Sequence, residues 1–175
     1  MGLSKRTLAC DDLRLAGILE NKGFGGTNNI ADALQIMRRI RVVKTDEELS
    51  VLKRGAEINA KALAQVVSAG CAGMAENDLT QIYRRSLVES QARHLGDRGM
   101  MFGTGDGSSF SLPMGRDRTL KSGDAVVLDC LGTYNSYHMD LARTAVVGVA
   151  TKEQVMRYNA TVNALEEVEA TIASQ

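Results

Sequence analysis

The sequence predicts an α+β fold, with helices packed on one face of an antiparallel sheet. Three observations carry that expectation. Residues 126–149, VVLDCLGTYNSYHMDLARTAVVGV, form two apolar runs around a polar turn at Gly132–Ser136, the pattern of a β-hairpin. From Thr45 onward, two stretches of helical period precede this hairpin and a third follows it. The resulting order of helix, helix, strand, hairpin and helix is an α+β order.

Taken in order, KRTLAC at 5–10 reads as a short strand. Asp11 or Asp12 caps a helix running to about Asn21, which Gly23 closes. After the loop GFGGTNN, a second helix is expected over Ile30–Ile40, with Ile30, Leu34, Met37 and Ile40 at helical spacing. Thr45 with Glu48 makes a capping box for a long helix to Gly70. Its stripe is Leu49, Leu52, Ala56, Asn59, Leu63 and Val66-Val67. A further helix runs from Asn77 or Asp78 to about Arg93, with Leu79, Ile82-Tyr83, Leu87 and Gln91 facing inward. Met100–Phe102 reads as a strand within loop material. The last helix starts at Thr151, boxed by Gln154, and runs to about Ser174. Its inward stripe is Val155, Tyr158-Asn159, Val162, Leu165, Val168-Glu169 and Ile172.

Composition narrows the function classes. The 175 residues are 44% hydrophobic and 24% charged, a globular balance with length for one sizeable core. The 21 Lys and Arg equal the 21 Asp and Glu, so no field for nucleic acid or an anionic membrane is implied. Cys10, Cys71 and Cys130 are odd in number and form no C-x-x-C pair, which points to reduced thiols in a cytoplasmic setting. The start MGLSKRTLACDD lacks an apolar signal core, and Arg6 breaks the myristoylation pattern. No apolar run is long enough to span a bilayer. GTGDGSSF at 103–110 is Gly-rich but has neither phosphate-loop pattern.

The hairpin carries the chemistry. With the bend between Tyr134 and Asn135, Thr133 faces Ser136, Leu131 faces His138, and Asp129 faces Asp140. Opposed residues share a sheet face, so the two carboxylates lie about 5 Å apart. At an effective dielectric near 20 such charges repel by roughly 3 kcal/mol. A divalent cation removes that repulsion, and paired carboxylates suit hard metals such as Mn²⁺ or Mg²⁺. The alternative is that one Asp faces solvent or lies outside the pairing. His138 shares the face and is either a ligand or a packed, hydrogen-bonded imidazole. Cys130 falls on the opposite face as an inert buried thiol.

LDCLGTYNSYHMDLARTAVVG resembles the metal-binding hairpin of the pita-bread metallopeptidases, the family of methionine aminopeptidase, Xaa-Pro aminopeptidase, prolidase and creatinase. The matching positions are Asp129, Tyr137, Asp140, Arg143 and Thr144, preceded by Gly123-Asp124. The resemblance extends from about Arg41 to the last residue. It implies that 41–175 is the first half of a pita-bread catalytic domain, and 1–40 the remnant of an amino-terminal domain and linker. It also implies that Asp129 and Asp140 are metal ligands. In the resembling enzymes a His and two Glu farther along join them, holding two divalent ions (Mn, Co or Zn).

The function this implies is metal-dependent hydrolysis of a C–N bond in a short peptide or amino-acid derivative, of the Xaa-Pro peptidase kind. The chain itself is expected to be truncated and inactive, its two carboxylates alone holding a metal weakly or not at all. Many family members have a His in the loop SLPMGRDR, where this sequence has Leu112 or Met114. Neither can donate a hydrogen bond to an oxyanion. Arg116 and His138 stand as candidate substrate-binding residues; Arg116 and Arg118 either bind a carboxylate or are surface loop charges. Two alternatives remain: a metal-free hydrolase, as creatinase is, and a non-enzymatic binding module. The latter would form a homodimer by covering an exposed sheet edge.

Overall fold

A computed structural model describes residues 7–23, 30–94, 100–103 and 118–174, with the side chains of Leu13 and of 100–103 left undescribed. The chain divides into two compact units, Met1–Leu49 and Ser50–Gln175.

In the first unit, β1 (Leu8–Cys10) pairs in parallel with β2 (Ile30–Asp32). Between them runs α1 (Leu13–Asn21), capped by Asp12, whose Oδ1 accepts from the backbone N–H of Arg14 at 2.8 Å. The expected helix over Ile30–Ile40 is corrected at its start. Ile30–Asp32 is strand, and Asp32 turns the chain into α2 (Ala33–Val42) by accepting from the Leu34 N–H. The α2 residues Met37 and Ile40 are exposed, so that expected stripe is not a buried one within this unit.

The second unit is built on α3 (Asp46–Ala69) and α4 (Glu76–Glu89). The Thr45 box forms as expected: Thr45 Oγ1 accepts from Glu48 N–H, and Glu48 Oε2 accepts from Thr45 N–H. The buried face of α3 is Gly55, Ile58, Asn59, Ala62, Leu63 and Val66. Ala56 and Val67, expected inside, are exposed. The face is rotated because Gly55 has no side chain. A Cβ there would sit 3.0 Å from Met139 Cγ, so the helix approaches the sheet along this side.

Helix α4 starts earlier and ends sooner than its periodicity predicts. Asp78 Oδ2 accepts from the Ala75 N–H at 3.0 Å, which opens the helix at Glu76. Gln91 takes a left-handed backbone with φ of 59° and is exposed, which corrects its placement in the stripe. The chain then enters β3 (Arg93–His94) instead of continuing as helix.

The sheet centres on β5 (Ala125–Tyr134). It pairs antiparallel with β6 (Tyr137–Val146) on one side. Along its other side lie β3 and β4 (Met100–Gly103), also antiparallel. One face of β5 is buried through Val126, Leu128, Cys130 and Gly132. With Met139 of β6 this face closes on Ile58, Ala62, Leu63, Val66, Leu79, Tyr83 and Leu87 of the two helices. The antiparallel sheet with helices on one face is therefore as the periodicities predict.

Gly132 sits in a close approach of β5 to β3 and α4. A Cβ there would lie 3.1 Å from the Arg93 carbonyl oxygen and 3.2 Å from Leu87 Cδ1. The carbonyl belongs to a paired strand and cannot move alone. Gly132→Ala is expected to destabilise the protein by about 1–3 kcal/mol; a thermal melt checks this, and an unchanged Tm would contradict it.

The last helix, α5 (Lys152–Ala173), is boxed by Thr151 and Gln154 as expected. It buries none of its residues, which corrects the expected inward stripe. Helical spacing shows which residues share a face but not what covers them. Among the described residues no helix is long and apolar enough to cross a membrane.

Candidate metal centre

The turn that joins β5 to β6 decides the site's geometry. Asn135 and Ser136 both have positive φ, 46° and 70°. A two-residue loop with two positive φ values matches the twist of antiparallel strands, and Asn tolerates this region well. The strands therefore pair up to Tyr134↔Tyr137, beyond the expected bend.

Each residue of β5 consequently meets a partner two positions farther along β6 than expected. Asp129 faces Ala142, Asp140 faces Leu131, and His138 faces Thr133. The direct opposition of Asp129 and Asp140 is corrected to a diagonal one. Because the shift is an even number of residues, every side chain keeps its face. Asp129, Asp140 and His138 remain together on the face away from the helices.

Asp129 is half-buried, and Asp140 is exposed. Burial first, then the charge of Asp140 and a hydrogen bond shared with it, holds the Asp129 carboxyl above its ordinary range. One carboxylate thus raises the cost of ionising the other. Two hard oxygen donors share one face with a like-charge conflict between them, which a cation beside them would relieve. His138 is exposed and lies two residues before Asp140 on the same strand face. Among the described residues no group of three or more His, Cys, Asp or Glu gathers for a metal. Arg116, Leu112 and Met114 lie outside the described residues.

Behind the pair, the opposite face of β5 is anchored to the helices. Cys130 is fully buried, and burial with the charges of Asp129 and Asp140 pushes its thiol up to about 12. It is an inert core residue, as its strand position predicts. Its carbonyl accepts from Asn59 Nδ2 at 2.9 Å, and Asn59 Oδ1 accepts from Tyr83 Oη at 2.8 Å. Burial pushes the Tyr83 phenol well above its usual value, so it stays a donor. This chain ties α3, α4 and β5 together next to Asp129. Periodicity placed Asn59 in the stripe; a polar residue at an inward position was the signal for such a network.

Arg118 binds a carboxylate of this same chain and is not a free surface charge. Its guanidinium grips Asp124 through two bonds of 2.8 and 3.1 Å, and Nη1 lies 3.7 Å from the fully buried Glu76. The Arg118 carbonyl accepts from the Glu76 N–H. The segment before β5 is thereby fastened to the start of α4. The Arg beside a Gly-Asp strand opening was the available sequence signal.

The chain matches known proteins in family and in fold. The profile of Metallopeptidase family M24 matches residues 50–174. The Xaa-Pro dipeptidase of Pyrococcus furiosus is 29% identical over 123 residues, covering 68% of this chain and 34% of that protein. Among solved structures, prolidase from P. furiosus superposes with a TM-score of 0.77 at 21% identity, covering 91% of this chain and 47% of that one. A variant of Escherichia coli aminopeptidase P gives 0.80 at 22% identity, covering 90% and 39%. At these identities the structural likeness shows the fold, here about half of a pita-bread domain. The chain spans less than half the length of each of these relatives.

Proposed function

This chain belongs to metallopeptidase family M24, and from that premise we propose that it is the metal-binding first half of an Xaa-Pro-specific peptidase. Asp129 and Asp140 hold the metal. The observation that carries this is the pair itself: two acidic side chains kept on one sheet face, one of them resisting ionisation because it is part-buried and beside the other. A bound divalent ion supplies Lewis acidity and a lowered pKa for its water. The protein's part is orientation. The β5–β6 ladder sets the spacing of the carboxylates, and the Asn59–Tyr83 chain fixes the strand that carries Asp129.

The substrate class is a short peptide with proline after the scissile bond, taken from the Xaa-Pro dipeptidase relative. His138 stands on the metal face at the edge of the pair and is the substrate contact on this side. Two carboxylates hold a divalent ion weakly, and a hydrolytic site needs more donors than this pair. The chain by itself is therefore expected to bind metal without cleaving Xaa-Pro dipeptides.

Calorimetric titration of the purified chain with Mn²⁺ tests the reading. Weak saturable binding is expected, with affinity at least tenfold lower in Asp129→Asn and in Asp140→Asn. In chelator, Asp129→Asn is expected to raise Tm, because it removes the carboxylate whose ionisation the fold opposes. Equal Mn²⁺ affinity in wild type and both variants would remove the metal role.

A further inference from the structure

The pairing that sets the two carboxylates also builds a second row of polar residues on their face of the sheet. Arg93 of β3 stands opposite Thr133 of β5, and Thr133 stands opposite His138 of β6. Residues directly opposite share a face. Thr133 is an even number of positions from Asp129 along β5, so all three lie on the metal side. Neighbouring strands are about 4.8 Å apart, so the three backbones span about 10 Å across the sheet. Arg93 and His138 are exposed, and Thr133 is half-buried. Among the described residues no carboxylate pairs with Arg93.

The chemistry of this row is that of a carboxylate site. A guanidinium offers a planar fork of N–H donors that matches the two oxygens of a carboxylate. The hydroxyl and the imidazole beside it add donors on the same face.

Its position relative to the metal pair sets what can reach it. Half-buried Leu131 stands opposite Asp140, one row from Thr133 and His138. The face therefore carries two carboxylates, then an apolar floor, then a cationic row. Successive rows on one face are about 7 Å apart. One peptide residue spans about 3.5 Å, and the long arginine stem bridges the remainder. A peptide with its scissile carbonyl at the metal pair can thus place a carboxylate one residue away in this row.

We propose that Arg93, with Thr133 and His138, forms a carboxylate subsite that selects peptides carrying a carboxylate within one residue of the scissile bond. That group is the carboxy terminus of a dipeptide or the side chain of an acidic flanking residue. The inference rests on the reading of this face as a peptide site, and it gives Arg93 a role in binding and none in bond cleavage.

NMR titration of the full, nitrogen-15-labelled chain in Mg²⁺ tests this with three probes: Gly-Pro, Gly-Pro amide and Glu-Pro amide. Gly-Pro amide carries no carboxylate. One or both of the others are expected to bind about fivefold tighter, the weight of one exposed ion pair, and to shift the Arg93 Nε–H signal. A gain with Gly-Pro identifies the carboxy terminus, and a gain with Glu-Pro amide identifies the acidic side chain. Arg93→Met is expected to erase the gain. Arg85→Met, which removes an exposed charge from α4, is expected to keep it. Circular dichroism confirms that both variants fold. Repeating the titration in chelator separates this subsite from the metal role: a gain that persists there and depends on Arg93 upholds the subsite even where Mn²⁺ binding fails. Equal binding of all three probes by wild type, a gain that survives Arg93→Met, or no shift with any probe at about 50 mM would each overturn the proposal.

Discussion

Replacing Arg118 by methionine lowers the unfolding free energy by about 2–3 kcal/mol, somewhat less than breaking a fully buried ion pair because Arg118 is partly exposed. Methionine keeps the apolar stem and removes the charge. Asp124 loses both of its guanidinium bonds, and the fully buried Glu76 loses the cation 3.7 Å away. Urea unfolding at neutral pH measures the loss, and a change within 0.5 kcal/mol would show that the clamp is incidental.

The pH dependence gives a second readout. The Arg118 bonds, aided by the Lys121 N–H, hold the Asp124 carboxyl below its ordinary value. A carboxylate with a lowered folded-state pKa contributes stability above its unfolded pKa near 4, and loses it as pH falls through the folded value. Wild type should therefore lose this contribution below about pH 4. The gap between wild type and Arg118→Met should narrow over the same range.

Asn59→Leu is the second large effect, expected at about 2–3 kcal/mol. Leucine is similar in size, so the loss comes from hydrogen bonding. The substitution removes the side-chain donor to the Cys130 carbonyl and strands the Tyr83 hydroxyl, both in the buried core. Removing one partner of a buried bond costs more than removing both. Tyr83→Phe should thus recover part of the loss when combined with Asn59→Leu. Chemical denaturation of the two single variants and the double variant measures the coupling; strict additivity would show that the Tyr83–Asn59 bond carries no energy.

Much of the fold was legible because local rules and global packing agree. The Thr45–Glu48 and Thr151–Gln154 boxes are local hydrogen-bond devices, and both helices begin where these residues place them. The alternating hairpin put apolar residues of β5 toward the helices and Asp129 away from them. Failures occurred where a side chain's value depends on distant partners. The face of α3 turned toward Gly55 because Met139, far along the chain, needs the room. The end of α4 was misplaced because Gln91 takes a left-handed turn that lets β3 join the sheet.

The candidate site shows the same division. Residue order alone determined that Asp129, Asp140 and His138 share one side of the hairpin, since parity along a strand survives an even slip in pairing. It also determined where the helices start, because caps act within four residues. Only the tertiary structure decided which residues stand directly opposite, because that depends on the two left-handed residues of the turn. It alone decided that Arg118 is a clamp, that Asn59 links two helices and a strand, and that none of the α5 stripe is buried among the described residues. Those outcomes rest on contacts between segments far apart in sequence, which no local pattern encodes.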